Sequence, residues 1–437
     1  MTMKQPIIGF AGMTHLGLVS SVAAAEKGFK LTCFDPDAQR IEAITQGMLP
    51  VSEPQLEELV AQNASRLKFT ANSAELKQCD VIFVAPDVAT DDQGQSDLAQ
   101  INELLDSVFE VAHIDAAIVV LSQVPPGFTR SRQRAGRILF YQVETLIFGR
   151  AVERALYPER YIIGCADPGQ ALPAAYRAFL AVHDCPLLPM RYESAELAKI
   201  SINMCLVSSV STANTLAELC EKIGADWAEI VPALKLDSRI GPHAYLTPGL
   251  GISGGNLERD LITACTLADK HGTDAGIVRA WLANSQRRKG WAANTLREVL
   301  LSKVEKPVIA VWGLAYKEHT HSTKNSPSVA ALLQLPDARV RIFDPVVAWN
   351  SDWHQDACIC TDALDAINGA DALMILTPWP EFKSVSVTDI AQRMRGRLVL
   401  DPYAMLLTQA VTQAGLVLYT LGSRTEFETK QLLAENR

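Results

Sequence analysis

Residues 6–17 read Pro6-Ile7-Ile8-Gly9-Phe10-Ala11-Gly12-Met13-Thr14-His15-Leu16-Gly17. A short apolar run enters a glycine turn, and a helical pattern follows from Leu16 to Lys27. Lys30-Leu31-Thr32-Cys33-Phe34-Asp35 then reads as a second strand ending on a carboxylate. In a dinucleotide loop of this kind the first glycine makes the tight turn. The second admits the pyrophosphate, and the third lets helix and strand pack closely. Gly12 and Gly17 hold the first and third positions here, and Thr14 holds the second. Asp35 is placed to bind the adenosine ribose hydroxyls and to repel a 2′-phosphate, which favours NAD over NADP. The same pattern without a ligand would be a plain βαβ unit. The acidic strand end favours the cofactor reading.

Outward from this stretch, Val81-Ile82-Phe83-Val84-Ala85 and Ala117-Ile118-Val119-Val120-Leu121 are further apolar runs. Strands alternating with helices imply a parallel sheet covered on both faces. From Glu193 to Gly224 no proline or glycine intervenes, and apolar residues recur at helical spacing, so one long helix is expected. More helix is expected at Trp227–Leu236 and Leu257–His271. A second α/β pattern begins near Pro307. Val308–Gly313 enters a glycine turn, Arg339–Asp344 ends on aspartate, and Ala372–Leu376 and Leu398–Asp401 follow. The expected fold class is α/β, with two Rossmann-like parallel-sheet domains joined by a central all-helical segment. The boundaries are 1–190, 191–300 and 301–437.

The 437 residues are 48% hydrophobic and 20% charged, which suits a globular chain with a large core. A net charge of −9 gives no general attraction to nucleic acid or anionic lipid. No apolar run approaches the roughly 18 residues of a membrane span. The chain opens directly into a strand without a signal-peptide pattern, so a cytoplasmic protein is expected. Of nine cysteines only Cys358 and Cys360 lie close together, which favours reduced, buried thiols over a metal site or disulfide framework. His319 and His321 lack an evident third ligand, so no metal is expected.

Ordered motifs along the chain resemble the UDP-glucose/GDP-mannose dehydrogenase family. Glu53-Pro54-Gln55-Leu56-Glu57-Glu58-Leu59 is similar to its EPGLEEL segment, and Ser122-Gln123-Val124-Pro125-Pro126-Gly127 to its STVPPG loop. Tyr157–Gly164 is similar to NPDRIVIG. Ser194-Ala195-Glu196-Leu197-Ala198-Lys199, followed by Asn203, resembles the central helix, and Asp237–Gly241 resembles DxRIG. Gly313-Leu314-Ala315-Tyr316-Lys317 resembles GLAFK, and Thr377–Phe382 resembles TxWPEF. The resemblance implies NAD, a nucleotide-sugar substrate, two Rossmann-like domains and a homodimer formed through the long helix. It also implies oxidation of a sugar C6 alcohol to a carboxylate with two NAD. The second oxidation needs a cysteine thiolate, a nucleophile that is also a good leaving group.

The corresponding loop reads Gly251-Ile252-Ser253-Gly254-Gly255-Asn256-Leu257-Glu258-Arg259-Asp260. Aligned by Gly251 and Asp260, Asn256 falls at the cysteine position, and a carboxamide only donates and accepts hydrogen bonds. Gln123, Glu258, Arg259, Phe148 and Tyr403 also depart from the family pattern, at positions it uses for the sugar and its chemistry. Lys199 and Asn203 are retained four apart on one helix face, where a lysine and an amide can hold an alcohol oxygen. The same pair resembles that of the wider β-hydroxyacid dehydrogenases. By resemblance Glu144 and Asp260 join Asn256 around the sugar. Pro86, Ser122 and Lys324 would border the NAD, and Leu146, Tyr245, Gly251 and Lys317 the nucleotide sugar. Arg239 would reach a neighbouring subunit's substrate.

Three readings follow. The leading one is an NAD-dependent nucleotide-sugar oxidoreductase acting on a CH–OH group and transferring two electrons. The second returns the hydride from bound NADH, giving epimerisation or dehydration. The third is a catalytically degenerate member that only binds nucleotide sugar or NAD.

Overall fold

The computed structural model describes residues 5–91 and 94–423. The first sheet comprises β1 (Ile7–Ala11), β2 (Lys30–Phe34), β3 (Leu67–Thr70), β4 (Val81–Val84), β5 (Ala117–Val120), β6 (Ile138–Gln142), β7 (Tyr161–Cys165) and β8 (Leu187–Arg191). Their spatial order is β3-β2-β1-β4-β5-β6-β7-β8. The central strands β4 and β5 are buried at every residue. Alternate side chains enter the two core layers: Phe83 packs with Phe10 on one face, and Ile82 and Val84 join Leu105 on the other. That is why these strands read as unbroken apolar runs rather than as alternating ones.

The second sheet comprises β9 (Val308–Trp312), β10 (Arg339–Phe343), β11 (Ala357–Ile359), β12 (Ala372–Ile375), β13 (Leu398–Leu400) and β14 (Val417–Tyr419), in the order β11-β10-β9-β12-β13-β14. Its pairings are all parallel. The two sheets repeat one device. Gly12 N–H donates to the Phe34 carbonyl and Gly313 N–H to the Phe343 carbonyl, both at 2.8 Å. Met13 N–H then donates to Asp35 Oδ2 at 2.7 Å, and Leu314 N–H to Asp344 Oδ2 at 2.6 Å. The acid ending the second strand of each unit therefore ties down the glycine turn that follows the first.

One pairing corrects the expectation of a wholly parallel first sheet. β6 and β7 run antiparallel, with Tyr141 opposite Gly164 and Gln142 opposite Ile163. Between them lie a loop and the short helix Ala151–Leu156.

The long helix spans Tyr192–Ile223 and is followed by Gly224 at φ +79°, a left-handed stop that glycine adopts without strain. The helix Trp227–Leu236 has its expected limits, and Asn256–His271 begins one residue before the expected start. A further helix, Gly276–Lys289, completes the middle segment. Contacts group the chain into two units, one through Ile202 and one from Asn203 onward, so most of the middle helices belong with the second sheet. No helix among the described residues is long and apolar enough to cross a membrane.

Candidate functional site

In the first unit the glycine turn joins β1 to the helix His15–Glu26. Gly12 sits at φ +99°, and a Cβ there would lie 2.7 Å from Pro86 N. A Cβ on Gly17 would fall 1.7 Å from the Gly12 carbonyl oxygen, so neither position admits a side chain. Thr14 lies at φ −83°, a value open to any residue. Its hydroxyl accepts a hydrogen bond from Asp87 N–H at 2.8 Å and caps none of the helix N–H groups. Leu16 N–H has only a long contact, 3.4 Å, to Asp87 Oδ2. Main-chain donors at a helix start suit a pyrophosphate, and the bare Gly12 and Gly17 let the turn pack against Pro86 and the helix against the Gly12 carbonyl.

Asp35 is fully buried. One oxygen accepts Met13 N–H and the other Asp37 N–H, while Arg40 Nη1 lies 2.9 Å from both. The carboxylate is thus held by the glycine turn, the residue after its strand and Arg40. Pro86 packs against Gly12, and its carbonyl accepts the Ser122 hydroxyl at 2.5 Å. Ser122 therefore acts on the loop through Pro86, its hydroxyl already engaged.

Lys199 Nζ donates to the Glu144 carbonyl oxygen at 2.9 Å and lies 3.8 Å from Glu144 Oε2. Both side chains are largely buried, at 14% and 17% exposure. Leu146 and Glu144 line a cavity of about 50 Å³ together with Phe10, Phe83 and Arg154.

Sequence reasoning left out two supports of this unit. Glu196, one turn before Lys199, is fully buried and accepts Gly127 N–H at 2.6 Å and Thr129 N–H at 2.8 Å. Burial pushes its carboxyl upward, and the bonds to Thr129 and Gly127 oppose the shift. His15 Nε2 meets Glu53 Oε1 at 2.9 Å, and Glu53 also accepts Gly149 and Ala151 N–H groups. The Phe148 ring stacks on His15.

In the second unit Asn203 Nδ2 donates to Asp260 Oδ2 at 2.5 Å, and Arg259 Nε lies 3.6 Å from Asp260 Oδ1. Asp260 and Arg259 are buried. Asn256 is exposed at the first residue of the helix, a turn before them, so it shares their face. Gly251 sits at φ +86°, where a Cβ would lie 2.5 Å from the Ser285 carbonyl oxygen. The next loop packs against this one: the Lys324 carbonyl accepts Gly254 N–H at 3.0 Å, and Asn325 bonds to Gly254 O and to Glu258. Lys317 Nζ lies 5.8 Å from the Tyr316 ring centroid, and the Tyr316 ring covers Gly254. These residues form one polar cluster around the 251–260 loop. Arg239 and Tyr245 stand apart from it. The Arg239 side chain is 87% exposed and bonds to Asp237, and Tyr245 is 52% exposed.

Cys33 and Cys79 are buried, and burial pushes their thiols up to about 12 and about 11, so neither supplies a thiolate at neutral pH.

Comparison with known proteins places this geometry in context. Three segments match the UDP-glucose/GDP-mannose dehydrogenase family: residues 6–180 its NAD binding domain, 193–286 its central domain and 310–408 its UDP binding domain. The UDP-glucose 6-dehydrogenase of Pseudomonas aeruginosa is 30% identical over 94% of this chain and 96% of its own. That of Rickettsia conorii is 28% identical over 95% of this chain and 99% of its own. Among solved structures, a UDP-glucose dehydrogenase from Pyrobaculum islandicum superposes with a TM-score of 0.80 at 26% identity, covering 92% of this chain and 94% of that one. A UDP-D-ManNAc dehydrogenase from Pyrococcus horikoshii gives 0.82 at 25% identity, covering 95% and 99%.

Proposed function

The chain belongs to the UDP-glucose/GDP-mannose dehydrogenase family, NAD-dependent oxidoreductases of nucleotide sugars, and from that premise we propose that its own reaction stops after two electrons. The observation that carries this reading is Asn256 at the start of its helix, in a family whose acid-forming step calls for a thiolate. NAD, held by the Gly12–Gly17 turn and Asp35, would supply the hydride acceptor for the carbinol carbon. Lys199 in its neutral form would take the hydroxyl proton, with the Glu144 carboxyl group 3.8 Å from its Nζ. Asn203 is held by Asp260, so its amide is oriented for a sugar oxygen. Asn256 offers a donor and an acceptor but no nucleophile, so the thiohemiacetal of the acid-forming step has no thiol to form on at that position.

The relatives' substrates, UDP-glucose and UDP-N-acetylmannosamine, are the first candidates. Incubation of each with NAD and hydroxylamine should yield the oxime of a nucleotide-linked carbonyl sugar by mass spectrometry. A uronic acid product instead would refute the two-electron reading. We read the working form as a homodimer in which Arg239 of one protomer reaches the substrate of its partner, which suits an arginine held only by its neighbour Asp237 and 87% exposed.

A further inference from the structure

We propose that Glu196 is a positioning residue for the oxidation: it holds the helix that carries Lys199 at a fixed distance from the NAD site. Glu196 lies one turn before Lys199, so the two share a helix face. It is fully buried, and it accepts two main-chain N–H groups, Gly127 on Oε2 at 2.6 Å and Thr129 on Oε1 at 2.8 Å. Acceptance on both oxygens is the bonding pattern of a carboxylate. Burying such a group is costly unless donors satisfy it. Hydrogen bonds to a charged acceptor are also about twice as strong as neutral ones. One donor on each oxygen fixes the plane of the group as well as its place.

What these bonds connect gives them their role. Gly127 and Thr129 belong to the chain that leaves β5. That chain begins at Ser122, whose hydroxyl donates to the Pro86 carbonyl, and Pro86 packs on the glycine turn at Gly12. A dinucleotide crosses such a sheet where the strand order reverses, here between β1 and β4, and β5 is the next strand on. Two other bonds tie the same helix to the β6 side. The Tyr192 hydroxyl donates to the Leu139 carbonyl at 2.7 Å, and Lys199 reaches the Glu144 carbonyl just after that strand. Glu196 supplies the tie to the strand nearer the cofactor. The three anchors together set the tilt and the height of the helix over the sheet, and with them the place of the Lys199 amine. A misplacement of about 1 Å in such a geometry can cost on the order of 100-fold in rate. The proposal rests on Lys199 as the proton acceptor, and it holds whether or not the reaction stops at two electrons.

The test is single-turnover hydride transfer in the full chain, followed as NADH absorbance with whichever of UDP-glucose and UDP-N-acetylmannosamine the wild type oxidises. NAD titration and urea unfolding accompany it. Glu196→Gln keeps the shape but turns an amide NH2 towards one of the two N–H groups, so one tie is lost. It should slow hydride transfer by about 10- to 100-fold while the folded protein binds NAD within about twofold of the wild type. Glu196→Asp keeps the charge but shortens the reach by one methylene, and it should slow the same step even if the glutamine variant fails to fold. In a Lys199→Ala background either substitution should cost less than about twofold more, because the group it positions is gone. Wild-type hydride transfer in a folded Glu196 variant, with only the urea midpoint lowered, would overturn the proposal. So would a full multiplicative loss in the double variant. Wild-type turnover in Lys199→Ala alone would remove the proton acceptor itself and the proposal with it, a failure distinct from the other two.

Discussion

Lys199 has a spacing that the sequence displays and a partner that it hides. Its place four residues before Asn203 is helical arithmetic, but the bond to Glu144 spans 55 positions and follows no period. The same holds for His15 with Glu53, 38 apart, and for Glu196 with Thr129, 67 apart. Contacts of that kind depend on the sheet order, which no local pattern encodes. With Lys199 as the proton acceptor, Lys199→Ala should lower turnover by about 10²–10⁴ while NAD affinity stays within about twofold. Single-turnover kinetics and titration would separate the two, and full turnover in the variant would remove Lys199 from the chemistry. His183 offers a pH test of the first unit's core. Burial, helped by Lys27, pushes its imidazole down to about 4 from an ordinary 6.5, between Tyr161 and Phe179. The unfolded chain thus binds the proton more readily, and the group's contribution is complete above about pH 6.5 and is lost as pH falls towards 4. A shift of that size corresponds to at most about 3–4 kcal/mol. His183→Phe should flatten urea midpoints between pH 6.5 and 4.5 relative to the wild type, and an identical slope would contradict it.

At the scale of elements, the strands buried on both faces and the long helix were legible because their periods are strong. β1, β2, β4, β5, β9, β10, β12 and β13 fall within a residue of their expected ends. The strands that were missed lie towards the sheet margins. β8 is largely exposed and contains Pro189, and β11 and β14 are three residues each, too short for a pattern to declare itself. The antiparallel β6–β7 pair was hidden because direction depends on the connecting loop rather than on strand composition. The 251–260 loop was visible as a motif, but its rigidity was not. Gly251 combines φ +86° with a Cβ position 2.5 Å from the Ser285 carbonyl oxygen. Gly251→Ala should therefore destabilise the chain by about 2–4 kcal/mol in urea unfolding, against about ±0.5 for a surface substitution. A change below 1 kcal/mol would show that the loop can shift freely.

For the whole molecule, two sheets built on one glycine–aspartate device have taken different parts. Asp344 accepts not only Leu314 N–H but also Ala315 N–H, Trp379 Nε1–H and the N–H groups of Val346 and Val347. The UDP binding match covers this half. The homodimer reading predicts twice the chain mass in sedimentation at micromolar concentration. It also predicts that mixing Arg239→Ala with Lys199→Ala protein partly restores activity, because hybrid dimers would hold one intact site; a monomer without such rescue would contradict it. The central claim concerns electrons, and it is tested most directly by counting NADH against nucleotide sugar consumed, with UDP-glucose and UDP-N-acetylmannosamine as substrates. The account predicts at most one NADH per sugar and a carbonyl product. Two NADH per sugar, with a uronic acid formed, would contradict it.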